Sequence, residues 1–347
     1  MVCHLVCHLL NHEKESEMKK GWLALVVCLV CPFIIGGTAS GGEVKWNIVM
    51  ATGSVGGTAS VLGPALTERI KSEYPDAVID MPPGGTTTNI LRVGTGEIEV
   101  GWATLTTAKA GYEGTPPPKE FATPLVDLRG VANVWDQQFQ FVVPKSFAAN
   151  SVDEMFEKKM PIRVVPGGPR GNFGVLALEQ LLGAMYGVTL KDIESWGGKV
   201  IYAEFTEAVA MMQDGHIDLF CPLTASPNST MMELANTIDV KFLPMSEKSI
   251  KVMHQFGYEP TVLKKGTYKD VNEDVPSISA PFGIIANNNV SSDLIYELTR
   301  ILCENKPHLE NAHVIAKDFN PENAMNGLGA PIHPGAEKYY REKGWMK

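Results

Sequence analysis

Two glycine-rich loops hold the residues best suited to chemistry in this chain. They read Thr52-Gly53-Ser54-Val55-Gly56-Gly57-Thr58 and Pro166-Gly167-Gly168-Pro169-Arg170-Gly171-Asn172. Each loop follows an apolar run and precedes a helical pattern, so its free backbone N–H groups lie at the positive end of a helix dipole. Such a loop can bind carboxylate, phosphate or sulfate without a lysine. A tight turn with no ligand is the alternative for either loop alone, but the matching positions of the two loops favour one shared anion site.

Hydroxyl side chains follow the strands that accompany these loops. Thr86 lies at a further loop-to-helix junction, Thr104 follows the strand that contains Trp102, and Thr224 follows the matching strand in the second half of the chain. Ligands of open α/β sheets bind outside the carboxyl ends of strands, where these hydroxyls should lie. Helix capping is the alternative explanation for at least one hydroxyl at each helix start. The predicted ligand-binding residues are Ser54, Val55, Gly57, Thr58, Thr86, Trp102, Thr104, Arg170, Gly171, Asn172 and Thr224.

Arg170 is the most specific single candidate in this set. A guanidinium within a glycine loop can bind a carboxylate through two parallel hydrogen bonds, although a surface arginine ordinarily pairs with a nearby acid. Trp102 and Trp135 can form an apolar wall for the ligand, or can belong to the core. These residue types predict a small anionic organic ligand, either a carboxylate or an amino acid.

Sequence motifs for nucleotide binding, catalysis and metal binding are missing from the sequence after residue 40. Neither loop contains Gly-x-x-x-x-Gly-Lys-Ser/Thr or Gly-x-Gly-x-x-Gly, and the chain has no Gly-x-Ser-x-Gly and no His-Glu-x-x-His. The histidines are scattered, without the spacing of metal ligands. We therefore expect no cofactor, no metal and no catalysis. A periplasmic enzyme that uses a cleft acid such as Asp218 is the less favoured alternative.

Composition limits the class of protein. The chain has 347 residues, 44% of them hydrophobic, and a formal net charge of -9. A protein that depends on phosphate contacts usually carries a basic surplus, so nucleic acid is not expected as a partner. The length is sufficient for about two domains with cores of their own. We expect a monomer of two lobes.

Two stretches repeat the order of strand, glycine loop and helix. The strands are predicted at residues 46–50 and 162–165, and each following helix carries its apolar residues on one face. This alternation predicts an α/β protein with mostly parallel sheets. Extended runs at residues 139–144 and 277–285 predict two strands that cross between the lobes. Lobe 1 would then comprise residues 41–140 and 280–347, and lobe 2 residues 141–279.

The N-terminal region has the features of an export signal. Residues 18–40 contain two lysines, an uncharged apolar core and then small residues, which is the order of a signal peptide cleaved near Ser40; an uncleaved anchor is the alternative. Residues 1–17 do not fit before such a peptide and indicate a mis-set start. We therefore expect a periplasmic protein. Four of the six cysteines lie within residues 1–40 and would be removed with this region. The other two, Cys221 and Cys303, could form a disulfide or stay as buried thiols.

The order of these motifs resembles the TAXI-type solute receptors of tripartite ATP-independent periplasmic (TRAP) transporters. The family's Thr-Gly-Gly-Thr-Gly-Gly-x-Tyr-Tyr-x-x-Gly is similar to residues 52–63, and its Gly-Gly-Ser-x-x-Asn-Leu is similar to residues 84–90. Its Gly-Ser-Gly-Thr loop and its Gly-x-Ile-Asp-Ala-Phe strand resemble residues 169–172 and 215–220. The resemblance extends from about residue 47 to about residue 305.

This resemblance implies the type II periplasmic-binding-protein fold, in which two α/β lobes joined by crossing hinge strands close on one ligand. It implies a receptor that delivers a small carboxylate to an ion-gradient-driven TRAP permease. A receptor that signals to a membrane sensor kinase is the alternative. The family's paired tyrosines are replaced by Ala59 and Ser60, and Arg170 and Asn172 replace small hydroxyl residues. The identity of the ligand therefore cannot be inferred from the ligands of this family.

Overall fold

The computed structural model describes residues 44–116 and 118–347, which belong to one compact unit. The predicted mis-set start at 1–17, the signal peptide at 18–40 and four of the cysteines lie outside the described residues. In the part described, no helix is both long enough and apolar enough to cross a membrane.

Strands and helices alternate along most of the described chain. The strands are β1 Asn47–Ala51, β2 Val78–Asp80, β3 Val100–Thr104, β4 Leu128–Phe139, β5 Val142–Pro144, β6 Arg163–Val165, β7 Lys199–Val200, β8 Leu219–Phe220, β9 Leu223–Thr224, β10 Val240–Phe242, β11 Glu259–Leu263 and β12 Val275–Asn287. The helices are α1 Ala59–Glu73, α2 Thr86–Gly94, α3 Leu105–Glu113, α4 Val152–Glu157, α5 Phe173–Leu181, α6 Leu190–Ser195, α7 Phe205–Gln213, α8 Ser229–Thr237, α9 Glu247–His254, α10 Ser292–Glu304, α11 Lys306–Ala312 and α12 Pro334–Glu342.

The strands form two mixed sheets, in line with the two α/β lobes that the sequence predicts, although β9 and β11 from the predicted lobe 2 extend the seven-stranded sheet. Within the described residues, the seven-stranded sheet has the order β2-β1-β3-β12-β4-β9, with β11 added on β12, and the five-stranded sheet has the order β10-β5-β8-β6-β7. The two glycine loops follow β1 and β6, which lie inside different sheets. This is the two-lobe α/β architecture that the sequence predicts. The lobe boundaries at residues 140 and 280 stay predictions.

Both predicted strand–loop–helix units are present. β1 precedes the first glycine loop and α1, whose buried face includes Leu62, Leu66 and Ile70. β6 precedes the second loop and α5, which is buried over most of its length. In both units the pairs β1 with β3 and β6 with β8 are parallel, an arrangement that requires crossover connections such as the intervening helices.

The prediction of mostly parallel sheets was wrong. Two long strands, β4 and β12, run antiparallel to each other from Leu128↔Asn287 to Gln138↔Ser279, and β12 is also antiparallel to β3. β12 therefore runs opposite to β1, β3 and β4, which share one direction. β5, β9, β10 and β11 add further antiparallel pairs. The predicted crossing runs at 139–144 and 277–285 coincide with the end of β4, with β5 and with β12.

A buried histidine caps the last helix of lobe 1. His333 is fully buried, and its Nδ1 accepts a hydrogen bond from Gly335 N at 3.2 Å. Burial lowers the pKa of His333 to about 4, from an ordinary value of 6.5. Because the folded protein holds this imidazole neutral, protonation favours the unfolded chain.

We expect the His333 contribution to stability to be complete above pH 6.5 and to be lost as the pH falls towards 4. The shift corresponds to about 3 kcal/mol. His333→Asn keeps a capping acceptor but does not titrate, so its free energy of unfolding should fall less between pH 7 and 4 than that of the wild type in urea titrations. His216→Asn, at an exposed position, is the matched control. Equal pH dependence in wild type and His333→Asn would contradict this role.

Candidate functional site

A small cavity lies between the two lobes. Its volume is about 30 Å³, and residues from both lobes surround it. The lining residues are Gly53, Ser54, Gly57, Thr58, Ala59, Gly84, Gly85, Thr86, Trp102, Gln137, Asn172, Phe173, Phe205, Leu223, Thr224 and Phe282. The cavity therefore lies where the ends of β1 and β3 of one lobe meet the second glycine loop of the other.

Three helix starts converge on this cavity. The backbone N–H groups of Thr58 and Ala59 at α1, of Thr86 at α2 and of Phe173 at α5 have no hydrogen-bond partner among the described residues. These are N–H groups that a helix cannot pair with its own carbonyls. All four residues line the cavity, so the positive ends of three helix dipoles meet there. The arrangement provides a site for a negatively charged group.

Hydroxyl and amide side chains complete the polar half of the cavity. Thr58 Oγ1 lies 3.3 Å from Thr224 Oγ1, and this pair joins the two lobes. Thr86 Oγ1 lies 3.2 Å from Thr104 Oγ1 within lobe 1. Each hydroxyl can turn its hydrogen towards a ligand oxygen, because a hydroxyl both donates and accepts.

Asn172 and Ser54 form a second pair across the lobes. Asn172 Nδ2 donates to Ser54 Oγ at 2.7 Å, while its Oδ1 accepts from Gly174 N and so caps α5. Asn172 therefore serves both as a helix cap and as a contact between the lobes.

The apolar half of the cavity is aromatic. Trp102 and Phe282 line it, and Trp135 packs behind them with its ring centroid 5.3 Å from that of Trp102 and 4.9 Å from that of Phe282. Asn89 supports this wall by donating from Nδ2 to Thr52 O and to Trp102 O, both at 2.8 Å. The Trp102 indole N–H is buried and has no partner within the described residues. Trp102 thus combines the roles of wall and core that the sequence left open.

The electrostatics of the cavity come from dipoles. In the described chain, no ionisable side chain is among its lining residues. Outside the lining, the Glu204 carboxylate accepts the Val55 N–H at 2.8 Å. Burial raises the pKa of Glu204 against the opposing hydrogen bond from Val55, and the neighbouring Glu207 carboxylate raises it further. A bound anion would be stabilised by N–H and O–H groups alone.

The structure brings seven of the predicted binding residues to the cavity and leaves four outside its lining. Those that line it are Ser54, Gly57, Thr58, Thr86, Trp102, Asn172 and Thr224. Thr104 lies directly behind Thr86 and donates to Gln137 Oε1 at 3.5 Å. Val55 is 44% exposed, and only its backbone contacts the opposite lobe. Gly171 contributes its carbonyl, which accepts the Thr87 N–H at 3.0 Å and so closes one side of the cavity.

Arg170 lies in a neighbouring, more open cavity of about 420 Å³. Its guanidinium stacks on the Tyr202 ring at 4.0 Å from the centroid, and Glu179 and Lys119 line the same space. Arg170 is exposed and does not line the central cavity. A carboxylate clamp formed by Arg170 therefore stays a prediction, and such a clamp would lie outside the central cavity.

Sequence reasoning missed several lining residues. Gln137 lies on the long strand β4, whose Leu128–Gln138 portion was not recognised as a strand, and Leu223 lies on the two-residue strand β9. Phe173 and Phe205 are the first residues of α5 and α7. The position directly after a capping residue is the sequence signal that could have identified these two phenylalanines.

The first glycine loop is held between two helix starts of lobe 2. Gly56 O accepts hydrogen bonds from Thr230 Oγ1 at 2.8 Å and from Asn228 Nδ2 at 3.2 Å. Val55 bonds through its N–H to Glu204 and through its carbonyl to Phe205 N. These direct contacts hold the lobes together beside the cavity, so the structure represents a closed form.

Other candidate chemistry lies elsewhere. Asp218 pairs with Arg163 at 2.5 Å; although burial opposes ionisation, the hydrogen bonds from Arg163 lower the pKa of Asp218. Cys221 and Cys303 are free thiols, both buried, and burial raises the pKa of Cys303 to about 12. No group of three His, Cys, Asp or Glu side chains within residues 44–116 and 118–347 could hold a metal ion.

The sequence from residue 50 to residue 344 matches the model of the NMT1-like family. The chain belongs to the NMT1-like family. The matched range includes both glycine loops and all the lining residues of the cavity.

Solved structures show the same fold at low sequence identity. MatC (Rpa3494) from Rhodopseudomonas palustris, with bound malate, is 13% identical with a TM-score of 0.52, covering 88% of this chain and 98% of that one. Rpa4515 from R. palustris, with adipate, is 15% identical with a TM-score of 0.51, covering 86% and 93%. The periplasmic binding protein BugD is 15% identical with a TM-score of 0.51, covering 86% and 94%. The fold is therefore that of periplasmic binding proteins, with two α/β lobes around a cleft.

We expect Gly56→Ala to disfavour the closed form. Gly56 has φ +85°, and an added Cβ would lie 2.8 Å from Thr230 Oγ1 and 2.9 Å from Thr206 Cγ2. Relief of both the strain and the clash requires the loop to leave lobe 2. Small-angle X-ray scattering of the ligand-free protein should give a larger radius of gyration than for the wild type.

Gly183→Ala is the matched control, because nothing lies within 4 Å of an added Cβ at Gly183. Thr230→Val should change the scattering in the same direction but by less, because it removes one hydrogen bond to Gly56 O without changing the loop sequence. Scattering from Gly56→Ala that superimposes on the wild-type curve would contradict this role of Gly56.

Proposed function

We propose that this protein is an exported receptor that captures a small anionic organic solute between its lobes. The observation that carries the proposal is the meeting of three helix starts, with unpaired N–H groups, in one cavity between the lobes. Buried N–H groups without hydrogen-bond partners destabilise the closed protein, and an anionic ligand would accept hydrogen bonds from several of them at once. Receptors of this fold include proteins with bound malate and adipate, which supports an organic acid as ligand.

Capture follows from the position of the donors on both lobes. In an open form, α1 and α2 would offer Thr58 and Thr86 to the ligand first. Closure would then add Asn172, Phe173 and Thr224 from lobe 2. A ligand shifts the equilibrium between open and closed forms only through contacts made more favourably in one of them. The contacts from lobe 2 are those that only the closed form provides.

Delivery to a TRAP permease is the second part of the proposal. It is supported by the order of motifs shared with TAXI-type receptors, and it places the mature protein in the periplasm. Co-purification of the protein with a membrane permease subunit would support this part. Co-purification with a sensor kinase instead would overturn delivery while leaving ligand capture intact.

We expect Thr58→Val to weaken ligand binding by about tenfold to a hundredfold, because a hydrogen bond to an ionised group contributes about 1.5–3 kcal/mol. The purified protein would be unfolded and refolded to remove carried-over ligand. It would then be screened by thermal shift against amino acids, monocarboxylates, dicarboxylates, keto acids, sulfonates and phosphates, and any hit would be titrated calorimetrically. An anion at 100 times its Kd adds about 2.7 kcal/mol of stability.

Thr237→Val is the matched control, because Thr237 is exposed on α8 and its hydroxyl bonds only to the Glu233 carbonyl. Binding of an anion that weakens in Thr58→Val but not in Thr237→Val would support the site. Equal affinity in all three proteins would place the ligand elsewhere, and stabilisation by cations or neutral solutes alone would contradict an anionic ligand.

A further inference from the structure

We infer that the ligand of the central cavity is a compact monoanion, namely a single carboxylate on a carbon chain of about one to three atoms in total. This inference rests on the proposed function and narrows it. It follows from four properties of the cavity: its volume, the contacts that fix this volume, the charges around it and its apolar wall.

The volume limits the size of the ligand. A cavity of about 30 Å³ has room for about two water molecules. A formate or acetate ion approaches that size, whereas a chain with two carboxylates separated by several carbons greatly exceeds it. The neighbouring cavity of about 420 Å³ is much larger, but it is a separate space at the surface.

Direct contacts between the lobes keep the cavity small. On one side, Gly56 O is bound by Asn228 and Thr230 of lobe 2. On the other side, Thr87 N donates to Gly171 O at 3.0 Å, and a Cβ on Gly85 would lie 2.7 Å from that same carbonyl oxygen. A longer ligand would have to break one of these two sides, losing the contacts that close the lobes.

The charges favour one negative charge and oppose a second. The lining offers N–H and O–H groups, and the described cavity wall contains no lysine, arginine or histidine. Arg170 lies beyond the Thr87–Gly171 contact, stacked on Tyr202. Glu204 accepts the Val55 N–H beside the cavity, so a second carboxylate would meet a like charge instead of a cation.

The apolar wall accounts for the other end of the ligand. The side chains of Trp102, Phe173, Phe205, Leu223 and Phe282 supply the apolar part of the cavity lining. A methyl or ethyl group would be buried there without leaving a polar atom unpaired. An inorganic oxyanion, in contrast, would place some of its oxygen atoms against these rings. Those oxygen atoms would lose their bound water without gaining a hydrogen bond, which disfavours binding.

The experiment is calorimetric titration of refolded protein with two series of probes. The monocarboxylates are formate, acetate, propionate and pyruvate, and the dicarboxylates are malonate, succinate and adipate. Acetamide serves as the neutral isostere of acetate, and sulfate as the inorganic anion. We expect one of the monocarboxylates to bind tightest, with every dicarboxylate, acetamide and sulfate weaker by about tenfold or more.

Each outcome separates this inference from the proposed function. A dicarboxylate that binds as tightly as acetate, with binding weakened by Thr58→Val, would overturn the size and charge inference and leave the receptor in place. Acetamide binding as well as acetate would overturn the requirement for a charge. Binding of no anion, in this series or in the wider screen, would overturn both.

Leu223→Ala tests the size limit independently. Leu223 is buried in the cavity wall, and its truncation enlarges the space by about three methyl or methylene groups. We expect the preferred chain to lengthen, so that butyrate gains affinity relative to acetate. Leu309→Ala removes the same volume from the core of lobe 1, away from the cavity, and should leave the butyrate-to-acetate ratio unchanged. An unchanged ratio in Leu223→Ala would contradict the volume argument.

Discussion

Unpaired N–H groups at helix starts are the constraint on which this cleft depends. A helix cannot satisfy its first N–H groups from within, and α1, α2 and α5 begin where two lobes meet. The lobes cannot enclose these donors without supplying acceptors or leaving space for a ligand. The structure does both: Asn172 Oδ1 and Gly171 O satisfy some donors, and the cavity faces the others.

Contacts beside the cavity also explain why no charged side chain is among its described lining residues. Charged side chains near the cleft have partners of their own: Arg170 stacks on Tyr202, and Glu204 accepts the Val55 N–H. Helix dipoles can stabilise one anionic group while requiring no counter-charge and little reorganisation. Two long strands, β4 and β12, connect the lobes and carry Gln137 and Phe282 into the cavity wall. The connection between the lobes and the wall of the site are therefore built from the same strands.

Patterning predicted the repeated units well, because buried strands and helical faces are local and periodic. β1 and β6 lie within one residue of their predicted positions, and a helix follows each glycine loop as predicted. The long strand β4 was only partly recognised, and the short strand β9 carries two residues, too few to show a period. The direction of the crossing strands was missed as well, since an apolar run does not show whether its partner is parallel or antiparallel.

The sequence by itself determined the α/β class, the two glycine loops and the hydroxyls that follow the strands, since these depend on local spacing and residue type. Only the tertiary structure decided which of these groups meet. Arg170 and Asn172 are two positions apart, yet the N-cap geometry of α5 turns Asn172 towards Ser54 of the other lobe, while Arg170 lies over Tyr202. The volume of the cavity was likewise decided by the contacts between the lobes, because the distance between residues far apart in the chain is set by packing and not by local pattern.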